Sequence, residues 1–110
     1  MDFLIDFSEA LKLLKQGHPV ARKGWKGEKQ MLILAGNYSV LKDQLREKGP
    51  ITKKFVESEG LKGMYIHPHI DIWSRGKDGM GSYVSGWVPT QSDMFAEDWY
   101  KVETANGISE

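Results

Sequence analysis

The sequence predicts an α+β fold: a single domain in which one N-terminal helix packs on an antiparallel sheet, with short additional helices. Three features point there. Only the first segment holds a clear helical period over its whole length. Later apolar runs are short and bounded by turn residues, as strands are. An Asp78-Gly79 pair stands between two extended runs, a hairpin signal that makes neighbouring strands antiparallel. At 110 residues the chain has the length of one domain with one modest core.

In chain order, Phe7, Ala10, Leu11 and Leu14 repeat at the i, i+3, i+4, i+7 spacing of one apolar helix face. Asp6 or Ser8 can cap that helix, and Asp6 with Glu9 has capping-box spacing. Gly17 ends it and Pro19 blocks continuation. Val20-Ala21-Arg22 reads as a short strand, Gly24 to Gly27 as a turn, and Gln30 to Ala35 as a buried strand closed by Gly36-Asn37. Between Ser39 and Gly63 the chain turns Lys- and Glu-rich. There Leu41 and Leu45 share one helical face and Ile51 and Phe55 another, with Gly49-Pro50 between, so two short surface helices are expected in a charged excursion.

Met64 to Trp73 reads as extended, with Pro68 at an edge or bend. Ile70 and Ile72 fall on one face of that run; His69, Asp71 and Trp73 fall on the other. Ser74 to Gly79 is the polar hairpin loop and Tyr83 to Trp87 the returning strand. Pro89 to Phe95 predicts a short helix with Thr90 or Ser92 as N-cap, Trp99 to Val102 a closing strand, and Glu103 to Glu110 a frayed tail.

Composition bounds the function. The 15 basic side chains balance 15 acidic ones, so the basic excess that draws a protein to polymeric nucleic acid is missing. No apolar run is long enough to span a bilayer, and Met1 to Asp6 lacks the basic start and long apolar stretch of a signal peptide. With no cysteine there is no disulfide, thiolate metal site or thiol nucleophile; a cytoplasmic location is expected.

Few residues suggest catalysis. His67, His69 and Asp71 alternate, and two imidazoles with a carboxylate can hold a divalent metal that activates water, the basis of a metal-assisted hydrolase reading. No fourth ligand is suggested, so neither a metal nor any other cofactor is expected, and local hydrogen bonds explain these residues equally well. No serine sits in a Gly-x-Ser-x-Gly elbow, and no Gly-rich phosphate loop is present. The carboxylate pairs Asp71/Asp78 and Glu97/Asp98 do not rise above turn caps and solvated charges. No catalytic residue is assigned, and no enzyme is expected.

A binding inventory remains. Trp25, Trp73, Trp87 and Trp99 make up a large aromatic share, suited to a small core or to stacking on a purine. Arg22 can pair bidentately with a phosphate. Thr90, Gln91 and Ser92 offer hydroxyl, amide and helix-start donors, and Asp71 or Asp93 can accept from ribose hydroxyls.

The same segments form a family pattern. Phe7-Ser8-Glu9-Ala10-Leu11, Val20-Ala21-Arg22-Lys23-Gly24-Trp25, Met31-Leu32-Ile33-Leu34, Pro68-His69-Ile70-Asp71, Gly86-Trp87 and Thr90 to Trp99 together resemble the Thoeris anti-defence two family of phage and prophage proteins, over about Phe7 to Val102. The Ser39–Gly63 stretch matches poorly, and the usual Ala-Asp-Gly turn reads Arg75-Gly76-Lys77-Asp78-Gly79, loops of a kind that can reshape a pocket rim. The resemblance implies a sponge. Such proteins bind a glycocyclic ADP-ribose alarm signal without cleaving it, some take up cyclic oligonucleotides, and they assemble as homotetramers with pockets between subunits. It implies ring contacts from Trp25 and Trp87, a pyrophosphate partner in Arg22, and polar contacts from Thr90, Gln91, Ser92 and Asp93. His69 and Asp71 would shape the wall, and Trp99 would pack in the core. A metal-assisted hydrolase of a nucleotide and a purely structural oligomerisation module are the alternatives.

Overall fold

The computed structural model describes residues 3–25 and 29–103. The periodic N-terminal segment forms α1, Phe7–Lys15. Its cap is Asp6, whose carboxylate accepts from the Glu9 backbone N–H at 2.9 Å. At the other end Gly17 takes a left-handed φ of 92°, the Gly17 N–H donates to the Leu14 carbonyl and the His18 N–H to that of Leu13. That paired closure satisfies carbonyls the helix leaves open, and glycine adopts its backbone conformation without strain.

The strands follow as β1 (Val20–Arg22), β2 (Gln30–Ala35), β3 (Tyr38–Leu41), β4 (Gly63–Ile66), β5 (His69–Arg75), β6 (Gly81–Ser85) and β7 (Trp99–Lys101). Two further helices are α2 (Lys53–Ser58) and α3 (Gln91–Phe95). The chain divides into two compact units, Met1–Ala35 with His69–Glu110, and Gly36–Pro68.

The first unit is a five-stranded antiparallel sheet in the order β6-β5-β2-β1-β7. The register sets Val20 opposite Leu32, Leu32 opposite Ile72, and Arg22 opposite Trp99. Side chains alternate between faces, so Val20, Arg22, Leu32, Ile72 and Trp99 share one face, against which α1 packs with Ala10 and Leu14. Leu14, Val20, Leu32 and Trp99 are sealed from solvent, each aliphatic side chain contributing about 1.5–3 kcal/mol by burial. The opposite face carries Ala21, Met31 and Ile33 as a second buried cluster, flanked by Trp73 and Tyr100. Along β5, Ile70 and Ile72 join the first cluster while Asp71 and Trp73 face away from it, as the alternation predicts. On the outer edge of β7, Ile5 and Trp99 exchange two backbone hydrogen bonds at 2.8 and 3.1 Å.

The second unit corrects one expectation. Of the two helices expected in the excursion, only the second exists, as α2 capped by Thr52, with Val56 buried. The first segment is instead β3 followed by a 3-10 turn over Lys42–Gln44. Leu41 and Leu45 do have helical spacing, but residues 38–41 pair with β4 along the whole strand, Tyr38 with Ile66 through Leu41 with Gly63. A ladder with a partner outweighs a two-residue periodicity that has none. Gly63 is needed there, because a Cβ would overlap the Val40 carbonyl oxygen and crowd the Leu41 Cα at 2.9 Å. Gly63→Ala is therefore expected to destabilise this unit by about 1–3 kcal/mol, seen as faster amide exchange in β3 and β4.

The hairpin expected at Asp78-Gly79 is present between β5 and β6, although β5 continues through Arg75 and shortens the polar loop. The closing strand is β7, and the expected tail lies outside the described residues from Thr104 onward. Of the expected turn at Gly24–Gly27, Lys26 and Gly27 lie outside them too.

Candidate functional site

The first unit gathers most of the expected binding residues on the helix-covered side of its sheet. β1 delivers Arg22, the turn after it delivers Trp25, and the segment after β6 delivers Trp87 and then α3. Trp25, Trp87 and Trp99 meet edge to face, with centroids 5.4 Å apart for Trp25–Trp99 and 6.3 Å for the two pairs involving Trp87. That arrangement sets the positive ring edge against the negative face. Trp99 is fully buried, and its indole N–H donates to the Asp93 carbonyl at 3.0 Å. Trp25 and Trp87 stay partly open to solvent. Within this trio they are the indoles with surface to offer a ligand; Trp73, also partly open, lies on the other face of the sheet.

Thr90 is the N-cap of α3, resolving the choice with Ser92. Its hydroxyl oxygen accepts from the Asp93 backbone N–H at 3.1 Å, and its own hydroxyl and backbone N–H donate to Asp93 Oδ2, both at 2.9 Å. The capping box thus consumes the polar groups of Thr90 and one oxygen of Asp93. Gln91 and Ser92 are exposed.

Arg22 is committed as well. Its Nε donates to Asp98 Oδ1 at 2.9 Å and its Nη1 to Asp93 Oδ1 at 2.8 Å, with the side chain only 19% exposed. The second oxygen of Asp98 accepts from the Gly24 backbone N–H at 2.7 Å, tying the turn before Trp25 to the segment before β7. A side chain at Gly24 would press on that oxygen, a Cβ standing 2.8 Å away. Bonds to Asp98 and then to Asp93 raise the Arg22 pKa against the opposing effect of burial. The Asp98 carboxyl is held below its ordinary range by Arg22, with burial opposing. Burial acts to raise Asp93, but donors from Thr90, Arg22 and Trp25 outweigh it and hold this carboxyl low too. One cation faces two anions. The expectation that Arg22 faces a pyrophosphate thus meets a guanidinium already neutralised from inside the fold.

Asp71 lies elsewhere. It pairs with Ile33 across β2 and with Ser85 across β6, on the sheet face opposite Arg22. It is 3% exposed, and its oxygens accept from the Tyr83 hydroxyl at 2.6 Å, the Ser85 hydroxyl at 2.9 Å and the Gly86 N–H at 3.1 Å. His69 Nε2 stands 3.3 Å from Asp71 Oδ1. Its partners are hydroxyls and a backbone amide, and the expected role as a ribose acceptor meets a carboxylate that already accepts three hydrogen bonds. Burial acts to raise the Asp71 pKa, but those three donors prevail and lower it. In return the Asp71 carboxylate pushes the Tyr83 phenol up to about 12.

That pair carries a prediction. An absorbance titration should show one phenol ionising near 12, and Tyr83→Phe should remove it. Because the folded value is raised, the stabilisation is whole below the ordinary phenol value of about 10 and is lost as pH climbs towards 12.

Two kinds of partner escaped sequence reasoning. In the sequence Asp98 reads as a solvated charge, and Tyr83 and Ser85 only as strand residues. The signal for the latter was available, since Asp71 and Ser85 become opposite neighbours once the hairpin register is fixed. The link from Arg22 to Asp98 spans 76 positions and leaves no local trace. Among the described residues no three His, Asp or Glu side chains converge to hold a metal, and His67 sits outside any strand. An open cleft of about 340 Å³ in the second unit, lined by Asn37, Tyr38, Ser39, Tyr65, Ile66 and His67, contains none of the residues expected to bind a nucleotide. The convergence of indoles and charges near α3 is the stronger candidate.

Comparison with known proteins agrees with the pattern. The model of the Thoeris anti-defense 2-like domain matches residues 5–102. A protein of Bacillus phage SP01 called Thoeris anti-defense 2 is 32% identical over 98 residues, covering 86% of this chain and 91% of that protein.

Proposed function

The chain belongs to the Thoeris anti-defense 2-like family, and from that membership, which supports an anti-defence role, we propose that it binds and sequesters a cyclic nucleotide-type immune signal without altering it. The ligand in this reading is glycocyclic ADP-ribose or a related cyclic oligonucleotide, captured in the cytoplasm of the defended cell. The observation that carries the mechanism is the indole corner. Trp25 and Trp87 are fixed against a buried third indole yet keep open surface, and Gln91 and Ser92 of α3 are exposed. A rigid aromatic corner loses little freedom on binding, which is what affinity without turnover requires. Arg22, Asp93 and Thr90 build the corner's frame, and Asp71 holds the β5–β6 hairpin that leads into Trp87.

The proposal includes assembly with further copies of the chain, as a tetramer with pockets completed between subunits. What supports it is β6, an edge strand of five exposed and uncharged residues, Gly81 to Ser85. Sheet edges left solitary are usually blunted by charge, proline or cover.

Calorimetry with glycocyclic ADP-ribose tests the reading. Wild-type protein should bind, and Trp25→Ala or Trp87→Ala should weaken binding by roughly 5- to 150-fold, the share of one stacking contact, while melting remains cooperative. No heat from the wild type with glycocyclic ADP-ribose or cyclic oligonucleotides contradicts it. Alanine variants that fall apart into single subunits would favour a structural oligomerisation module instead.

A further inference from the structure

The charges under the indole corner bear on which part of a ligand it accepts, an inference that rests on the nucleotide-binding reading above. Arg22 stands between two carboxylates, and both Asp93 and Asp98 bond to it directly. With one guanidinium and two carboxylates the formal sum is −1. All three side chains are less than a third exposed, so solvent screens that sum less than it would at the surface. A phosphate brought to Arg22 would have to displace a carboxylate from a short, charge-assisted bond, or sit beside the surplus negative charge. An uncharged ring laid on Trp25 or Trp87 meets neither obstacle.

The cluster is also mechanically placed. Asp98 bridges Arg22 on β1 to the Gly24 N–H, one residue before Trp25. Asp93 bridges the same guanidinium to the cap of α3, and the carbonyl of Asp93 receives the Trp99 indole. Every indole of the corner is therefore within one residue of this network or in ring contact with one that is.

We propose that Asp93–Arg22–Asp98 is a charge-compensated brace, and that the corner it holds takes the uncharged ring portion of the ligand while the phosphates lie away from Arg22. Asp98 is thus a positioning residue that acts through Gly24 and Trp25.

Asp98→Asn separates the possibilities by sign. It removes one negative charge and leaves the cluster formally neutral. If Arg22 contacts a phosphate, freeing it should tighten the binding of glycocyclic ADP-ribose, and the gain should shrink with salt. If the cluster is a brace, the variant loosens the Trp25 turn and weakens binding by about tenfold, by the same factor at about 50 and about 500 mM KCl. Tighter binding by Asp98→Asn overturns the brace. Should that variant fail to fold, wild-type protein decides with two competitors. Under the brace adenosine displaces the bound signal and inorganic pyrophosphate does not; displacement by pyrophosphate alone overturns it. Wild-type protein that does not bind glycocyclic ADP-ribose at all would instead refute the underlying nucleotide reading, a distinct outcome.

Discussion

Trp99→Ala is expected to cost about 3–5 kcal/mol of folding stability, much of what a domain of this size possesses. The side chain has no solvent exposure and stacks within 5.3 Å of Phe7 and 5.4 Å of Trp25. Removing it leaves a large void between α1 and the sheet, because its neighbours are anchored on three separate elements and cannot all collapse inward. It also strands the Asp93 carbonyl that its indole N–H satisfies. Urea unfolding followed by far-ultraviolet dichroism measures the loss. Trp99→Phe keeps most of the ring volume and gives up the N–H, so it should recover more than half of the deficit. A Trp99→Ala protein as stable as wild type would mean that this indole is not the centre of the core.

Arg22→Ala should be nearly as damaging, about 3 kcal/mol at neutral pH. Two carboxylates, with side chains 10% and 27% exposed, would lose their shared cation at once. The pH dependence gives the sign. Asp93 and Asp98 have folded values depressed below 3.8, so their contribution in the wild type is present above that value and lost as pH falls through the folded values. In the variant Asp98 loses the main cause of its depression and Asp93 loses one of several, so protonation relieves the unpaired charges at a higher pH than in the wild type. The gap between the two proteins should therefore close in acid, and urea midpoints at neutral pH and below about pH 4 should show it. A gap that stays constant with pH would assign the loss to packing of the arginine stem rather than to charge.

How much of this was legible beforehand follows from the range of each interaction. The ends of α1 were readable because Asp6, Glu9, Gly17 and Pro19 act over a few residues. The β5–β6 hairpin was readable because Asp78-Gly79 and the alternation of Ile70, Asp71 and Ile72 are local too. The β3 strand was not, because its identity depends on β4, more than 20 positions later, and the local spacing of Leu41 and Leu45 pointed to helix. For the site, residue types could nominate Arg22, Trp25, Trp87 and Thr90 to Asp93, and the fold does bring these together near α3. Spacing could not show that Asp71 lies on the other face of the sheet, which depends on strand order. Nor could it show that Arg22 is paired from within, since Asp93 and Asp98 are 71 and 76 positions away.

The four indoles divide among three positions in the fold. Trp99 fills the core, Trp25 and Trp87 form a braced corner with open surface, and Trp73 packs on the far face. Nanomolar capture corresponds to about −12 kcal/mol, more than one stacking contact provides, so pocket completion by further subunits is part of the proposal rather than an addition to it.

A sponge captures its ligand without converting it. The most direct test is to incubate the protein with glycocyclic ADP-ribose until free ligand is depleted, then denature the protein and analyse the released small molecules by chromatography and mass spectrometry. The original compound should be recovered, unchanged in mass and retention and close to one equivalent per site. Recovery of a linear or shortened product at more than one equivalent per site would show turnover, and would contradict the sponge.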